Sequence, residues 1–114
     1  TAARVTQTDI QAAIAREHYF TAWEVAQLAY WSDSNPENPK PHDGQPQKGG
    51  PLSLLTFCVL VLRNGFTVTG ESACVSAENF DADIGRSVAR ANAVQKMWPL
   101  LGYALKEQLS KEGA

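Results

Sequence analysis

The chain has 114 residues, 44% of them hydrophobic and 19% charged, with a formal net charge of −2. This length fits a single domain over residues 1–114, and the slight acidic surplus disfavours a nucleic-acid binder, which usually carries a basic surplus. The longest apolar run, residues 54–62, is far shorter than the ~20 residues that a membrane-spanning helix needs. With no signal-peptide pattern at the start, the sequence predicts a soluble protein of the cytoplasm.

The first predicted element is a helix that Thr8 caps and that ends near Glu17. Gln11 follows Thr8 by three residues, which is the spacing of a capping box. A second short helix is predicted over residues 21–31. The apolar face of the first helix is formed by Ile10, Ala13 and Ile14.

Residues 32–51 are predicted to form a loop. They hold five of the six prolines of the chain and three of its glycines, and they contain no aliphatic side chain before Leu52. Such a segment cannot bury apolar surface. A loop of this length is uncommon in a compact domain, so it is either a tolerated insertion or a functional segment.

A β-hairpin is predicted over residues 54–63 and 66–72, because Asn64-Gly65 between two β-rich runs is a strong signal for a two-residue turn. That turn places Val61 opposite Val68. One face, expected to be the core face, then carries Phe57, Val59, Val61, Phe66 and Val68. The other, mixed face carries Cys58, Leu60, Leu62, Thr67, Thr69 and Glu71.

The two cysteines are predicted to be buried, unpaired and structural. Cys58 and Cys74 point to opposite faces of the hairpin, so a disulfide is not expected. Only His18 and His42 are available as imidazole ligands or bases, and the spacing of a zinc site is absent. The sequence therefore predicts a non-enzymatic protein with no catalytic residue, no metal site and no cofactor.

A long helix is predicted over residues 81–110, with Ser76 or Asp81 as its cap and a kink at Pro99. Together the elements predict an α+β fold with an N-terminal helix, a central antiparallel hairpin or small sheet, and this long C-terminal helix. A helix of that length also suggests a homo-oligomer. Its main apolar stripe is Ile84, Val88, Ala91, Val94, Trp98, Leu101, Leu105 and Leu109.

A second stripe on the same helix begins with arginines and becomes apolar. Arg86 and Arg90 stand four residues apart, and guanidinium groups bind phosphate and stack on rings. Met97 is expected to cover an adjacent base, and Tyr103 to supply a ring from a second subunit. These four residues form the predicted site for an anionic small molecule. The alternative is that the stripe is a subunit contact with no ligand. Arg86 would then pair with a nearby carboxylate (Asp83 or Glu78), and Arg90 would be solvated.

Two stretches carry a resemblance to the gene-49/gene-66 family of small tailed-phage proteins, "TDIQAAIAREHYFTA" and "LSLLTFCVLVLRNGFTVTGESACVSAENFDADIGRSVARANAVQKMWPLLGYALKEQL". The most specific motifs are "NGF-V-G-SACV", "NFD--IGR--A---A" and "W-L-GY-L". The resemblance covers residues 6–22 and 52–109. It implies a small phage or prophage protein of α+β build, and it brings no catalytic residue with it.

Three binding functions follow as hypotheses. The first is a counter-defence protein that sequesters a nucleotide signal in the host cell, based on the arginine stripe and on analogy with other small phage proteins. The second is an inhibitor that covers a host protein surface with the proline-rich loop, Trp23 and Trp31. The third is a nucleic-acid-binding regulator, which the net charge disfavours.

Overall fold

The computed structural model describes residues 2–32 and 44–113, and these residues form an α+β fold. Two short 3-10 turns precede the second strand and the last helix. Residues 33–43 of the predicted 32–51 loop lie outside the described residues. The helices and strands in chain order are α1 (Gln7–Ala13), β1 (Ile14–Thr21), α2 (Ala22–Ser32), β2 (Leu55–Leu62), β3 (Thr67–Ala73) and α3 (Ala82–Glu112).

The three strands form one antiparallel sheet in the order β1-β2-β3, and α3 packs across one face of it against β2 and β3. The molecule measures 59 × 39 × 18 Å along its principal axes, and its least dimension fits one helical layer on one sheet layer. The buried side chains lie between these layers. They are Ile10, Ile14, Cys58, Leu60, Leu62, Val68, Ala89, Ala93, Val94 and Met97.

The N-terminal segment differs from the prediction in two respects. The helix is capped by Thr6, not Thr8: its hydroxyl accepts from the amide of Asp9, whose carboxylate accepts from the Thr6 amide at 2.8 Å. The helix also ends at Ala13, and residues predicted to continue it form β1. The cause is non-local, because β1 pairs with the apolar strand β2, some forty residues later in the chain. The predicted second helix is confirmed as α2.

The hairpin is confirmed, but its predicted register is wrong by one residue. Val68 lies opposite Leu60, and Val61 lies opposite Thr67. The connection has three residues, with Gly65 at φ +90° and the Leu62 amide donating to the Phe66 carbonyl at 2.8 Å. A three-residue loop that ends in a glycine of positive φ is the next common hairpin connection after the two-residue turn.

This shift exchanges the two faces of β2, because side chains alternate along a strand. Thr56, Cys58, Leu60 and Leu62 face α3 and are buried. The predicted core residues Phe57, Val59 and Val61 lie on the opposite face and are only half-buried, while Phe66 is 55% exposed. Of the predicted core face, Val68 alone is fully inside.

The long helix is confirmed as α3, with Asp81 as its cap and Pro99 inside it. Its main apolar stripe is only partly buried. Ile84 is 63% exposed and Val88 43% exposed, whereas Val94 is buried and Trp98 and Leu101 pack against the core. The buried positions of α3 are Ala89, Ala93, Val94 and Met97.

Gly70 explains why small residues of α3 face the sheet. A Cβ built on Gly70 would lie 2.2 Å from the carbonyl oxygen of Ala89 and 2.3 Å from the amide nitrogen of Ala93. The helix backbone therefore rests directly on the strand backbone at this point. Larger apolar side chains on this face of α3 would hold the two backbones apart.

Candidate functional site

The structure does not bring the four predicted ligand-binding residues to one place. Met97 is fully buried in the core, so a ligand reaches it only if the core opens. Tyr103 is 70% exposed on the part of α3 beyond the buried core positions. Arg90 donates a hydrogen bond to Glu17 on β1. Arg86 is half-exposed, pairs with Asp83, and lines a cavity.

Arg90 holds three elements together. Its Nε donates to Glu17 Oε1 on β1 at 2.9 Å, and its Nη2 donates to Gln11 Oε1 on α1 at 2.9 Å. Tyr19 also donates its hydroxyl to Glu17, at 2.6 Å. The bond from Arg90 lowers the pKa of the Glu17 carboxyl, and burial followed by the bond to Glu17 raises the pKa of Tyr19. The network fits an architectural role for Arg90.

The cysteines are both free, as predicted. Cys58 is fully buried beneath α3, and burial raises the pKa of its thiol, which therefore stays protonated near neutral pH. Cys74 is half-buried and donates its thiol to the Ser76 carbonyl. His18 pairs with Val59, which places its imidazole on the face of the sheet away from Cys58. His42 lies outside the described residues.

A small polar cavity of about 140 Å³ lies where β1 ends beside the first turn of α3. Arg86 is its cation, and Glu24 is its carboxylate. That carboxylate is already used by the start of α2, where it accepts from the amide and hydroxyl of Thr21 at 3.1 Å each. Among the described residues, the Arg86 guanidinium pairs only with the exposed Asp83. The full lining is Tyr19, Phe20, Thr21, Glu24, Thr56, Phe80, Ala82 and Arg86.

Thr56 is a buried polar residue at the base of this cavity, with 3% of its surface exposed. It lies under α3 at Gly85, where a Cβ would come within 3.0 Å of its hydroxyl oxygen. None of the described residues forms a hydrogen bond with this hydroxyl. Thr56 also lines a second small cavity on the other side of the same helical turn, of about 160 Å³. Thr56 therefore borders both cavities.

A larger apolar cavity of about 400 Å³ adjoins the polar one, and the two share Thr21, Glu24 and Phe80 as lining residues. Trp23 and Phe80 supply rings to its wall, and Lys48 brings a second cation. The indole N–H of Trp23 is buried and has no acceptor among the described residues. A buried donor without an acceptor is uncommon in folded proteins.

This pair of cavities combines a cationic, hydroxyl-bearing compartment with an apolar, ring-lined one. Sequence reasoning found Arg86 but missed Thr56 and Phe80. The sequence did contain a signal for Thr56, because it is a polar residue near the start of the apolar run "LLTFCVLVL". A hydroxyl inside a strand that is otherwise buried and apolar is unusual and suggests a special role. Across residues 2–32 and 44–113, no cluster of histidine, cysteine and acidic side chains is suited to hold a metal ion.

No helix in the described ranges is both long enough and apolar enough to cross a membrane. Comparison with curated proteins and with solved structures gave no match. One family model does match, over residues 5–109, and its description is "Phage protein (N4 Gp49/phage Sf6 gene 66) family". The match spans α1 through nearly all of α3. The chain therefore belongs to this phage protein family.

Proposed function

We propose that this phage protein is a non-enzymatic accessory protein that binds a small anionic molecule with a flat ring, such as a nucleotide. By holding that molecule in the host cytoplasm it would act as a sponge for a defence signal. The observation that carries the proposal is the shared wall of the two cavities. One contains Arg86, and the other contains Trp23 and Phe80.

Arg86 supplies the anion contact. Its partner Asp83 is 90% exposed, and an ion pair at such a surface contributes only about 0–1 kcal/mol, so a phosphate can displace it at little cost. A guanidinium offers phosphate two parallel N–H donors. The Thr56 hydroxyl adds a neutral donor beside it, and neither group loses a buried partner when a ligand enters.

The apolar cavity supplies the ring contact. Its volume of about 400 Å³ lies within the range of roughly 300–1,000 Å³ that small-molecule sites occupy. Trp23 and Phe80 stack on or border a planar group, and aromatic contacts of this kind favour flat ligands over branched ones. A ligand acceptor near Trp23 would also satisfy its indole N–H after a small side-chain movement.

Calorimetric titration against a panel of linear and cyclic nucleotides tests the proposal. At least one nucleotide should bind the wild type. Arg86→Gln should weaken that binding at least tenfold, because a hydrogen bond to a charged group contributes about 1.5–3 kcal/mol. Arg16→Gln is the control, since Arg16 is exposed on the open face of the sheet and its loss changes the net charge equally. The proposal fails if no nucleotide binds, or if both variants bind like the wild type.

The inhibitor hypothesis has support of its own, because α2 exposes Val25, Leu28 and Trp31 at 46%, 64% and 62%. Such a surface suits a protein partner. Replacing residues 33–43 with a glycine-serine segment of the same length separates the two functions. Nucleotide binding at the cavities should survive this exchange, whereas an inhibitor that uses the proline-rich loop should lose its target.

A further inference from the structure

The outward face of α3 carries a regular series of uncharged residues. Their spacings alternate strictly between four and three, which is the heptad pattern of helices that pair with helices. They face away from the buried positions Ala89, Ala93 and Met97. The series is Ile84, Val88, Ala91, Gln95, Trp98, Gly102, Leu105 and Leu109.

Much of this heptad stripe is uncovered within the described protein, although Trp98 also packs against the core and Leu105 borders a groove beside Val5. Ile84 is 63% exposed, Val88 43% and Leu109 40%, while Trp98, Gly102 and Leu105 are half-buried. A Cβ added at Gly102 would meet nothing within 4 Å. The stripe runs for 25 residue steps, or about 38 Å at 1.5 Å per residue. No charged side chain interrupts it, so covering it removes no ion from water.

The order of side-chain sizes in the heptad stripe points to a second copy of the same helix. Consider two copies of α3 packed antiparallel about a two-fold axis between residues 96 and 97. Each residue of the stripe then lies opposite the residue of the second copy for which the two residue numbers sum to 193. Bulky residues then oppose bulky ones, Ile84 against Leu109 and Val88 against Leu105. Small residues oppose small ones, Ala91 against Gly102, and the Gln95 amide meets the Trp98 indole.

We propose that the protein forms a two-fold symmetric dimer in which the heptad stripes of two α3 helices pack antiparallel. Two-fold contacts are self-complementary, so each pairing occurs twice. Ala91 and Gly102 let the helix axes approach to about 8 Å, the short end of the usual range. A contact about 38 Å long and 10 Å wide covers roughly 400 Å² per protomer. That is about half the area of a standard interface, so dissociation is expected in the micromolar range.

Cysteine cross-linking tests the pairing and its direction. In a Cys74→Ser background, the double variant Ala91→Cys/Gly102→Cys should form a covalent dimer on oxidation, seen on a non-reducing gel. Each single variant should stay monomeric on that gel, because its two thiols would lie eleven residue steps apart, about 16 Å, beyond the reach of a disulfide. Cross-linking of the Ala91→Cys single variant would instead show a parallel pair and overturn the proposal, as would no cross-linking of the double variant.

Sedimentation of the chain without added cysteines gives an independent test. Wild type should be mainly dimeric at about 100 µM and should dissociate on dilution. Ala91→Glu should be monomeric at every concentration, because it places two carboxylates in the contact. Ala104→Glu is the matched control: the same exposed residue type on the same helix, but turned away from the heptad stripe, so it should dimerise like wild type. A monomeric wild type, or dimerisation by Ala91→Glu, overturns the proposal.

Discussion

At residue 70 the backbones of β3 and α3 are in contact, and only a hydrogen fits between them. The atoms that a Cβ would meet are backbone atoms of Ala89 and Ala93, which cannot turn aside as a side chain can. The fold therefore tolerates substitution least at this position, where the side chains are smallest and the two backbones touch. Gly102, further along the same helix, has open space around it and makes a useful contrast.

Gly70→Ala should lower the free energy of unfolding by about 3 kcal/mol or more, because the helix must move away from the strand. Gly102→Ala should raise it by about 0.5–1 kcal/mol, since alanine in a helix costs less backbone entropy than glycine. Urea unfolding of both variants at low protein concentration measures the two effects. Equal, small changes would mean that α3 does not rest on β3 at residue 70.

At the level of elements, the sequence predicted the helices and the hairpin. It did not predict which face of each element is buried or the register in which the strands pair. The "NG" turn signal and the long run of helical spacings are local, so the hairpin and α3 could be read directly. The register depended on one extra loop residue, and the inner face of α3 depended on Gly70, which no periodicity reveals. β1 was missed because its strand partner is distant in the chain. In the candidate site, Arg86 could be predicted because a guanidinium binds anions. The cavity that Arg86 lines could not be predicted, because it forms only where the ends of three elements meet.

Adjacent residues of β2 provide a test of the observed register. Leu60 is fully buried beneath α3, so Leu60→Ala should destabilise the protein by about 2–5 kcal/mol. Val59 lies on the open face and is only half-buried, so Val59→Ala should cost about 1 kcal/mol or less. Thermal unfolding of the pair measures the difference. The reverse order of costs would support the two-residue turn and contradict the three-residue loop.

The molecule as a whole is long for its size. Its radius of gyration is 18.7 Å, whereas a compact domain of this length has one of about 13 Å. α3 accounts for much of this: its 31 residues span about 46 Å, nearly twice the length of an eight-residue strand. Arg90 of this helix hydrogen-bonds to the N-terminal elements through Glu17 and Gln11, beside the apolar contacts that Ile10 and Ile14 make in the core. Attachment of the N-terminal third therefore depends partly on the charge of Glu17.

That dependence predicts a pH effect on global stability. Arg90 holds the pKa of Glu17 below 4.5, so the unfolded chain takes up this proton first, and the stabilisation is lost as pH falls from 4.5 through the lowered value. Glu17→Gln should be less stable than wild type near neutral pH, by about 1 kcal/mol or less for a partly exposed pair. The difference should shrink in acid. Glu107→Gln, an exposed control on α3, should show little difference at either pH.

The distance in sequence between β1 and β2 has a consequence for synthesis of the chain. His18 pairs with Val59, 41 positions later, whereas Val61 pairs with Thr67, six positions later. Closing the longer loop costs about 1.7 kcal/mol more entropy, so the hairpin forms before β1 joins it. At a translation rate of about 5–20 residues per second, β1 waits several seconds for its partner to leave the ribosome. The central Arg16-Glu17-His18 of the strand then keeps this unpaired edge soluble and discourages it from pairing with other nascent chains.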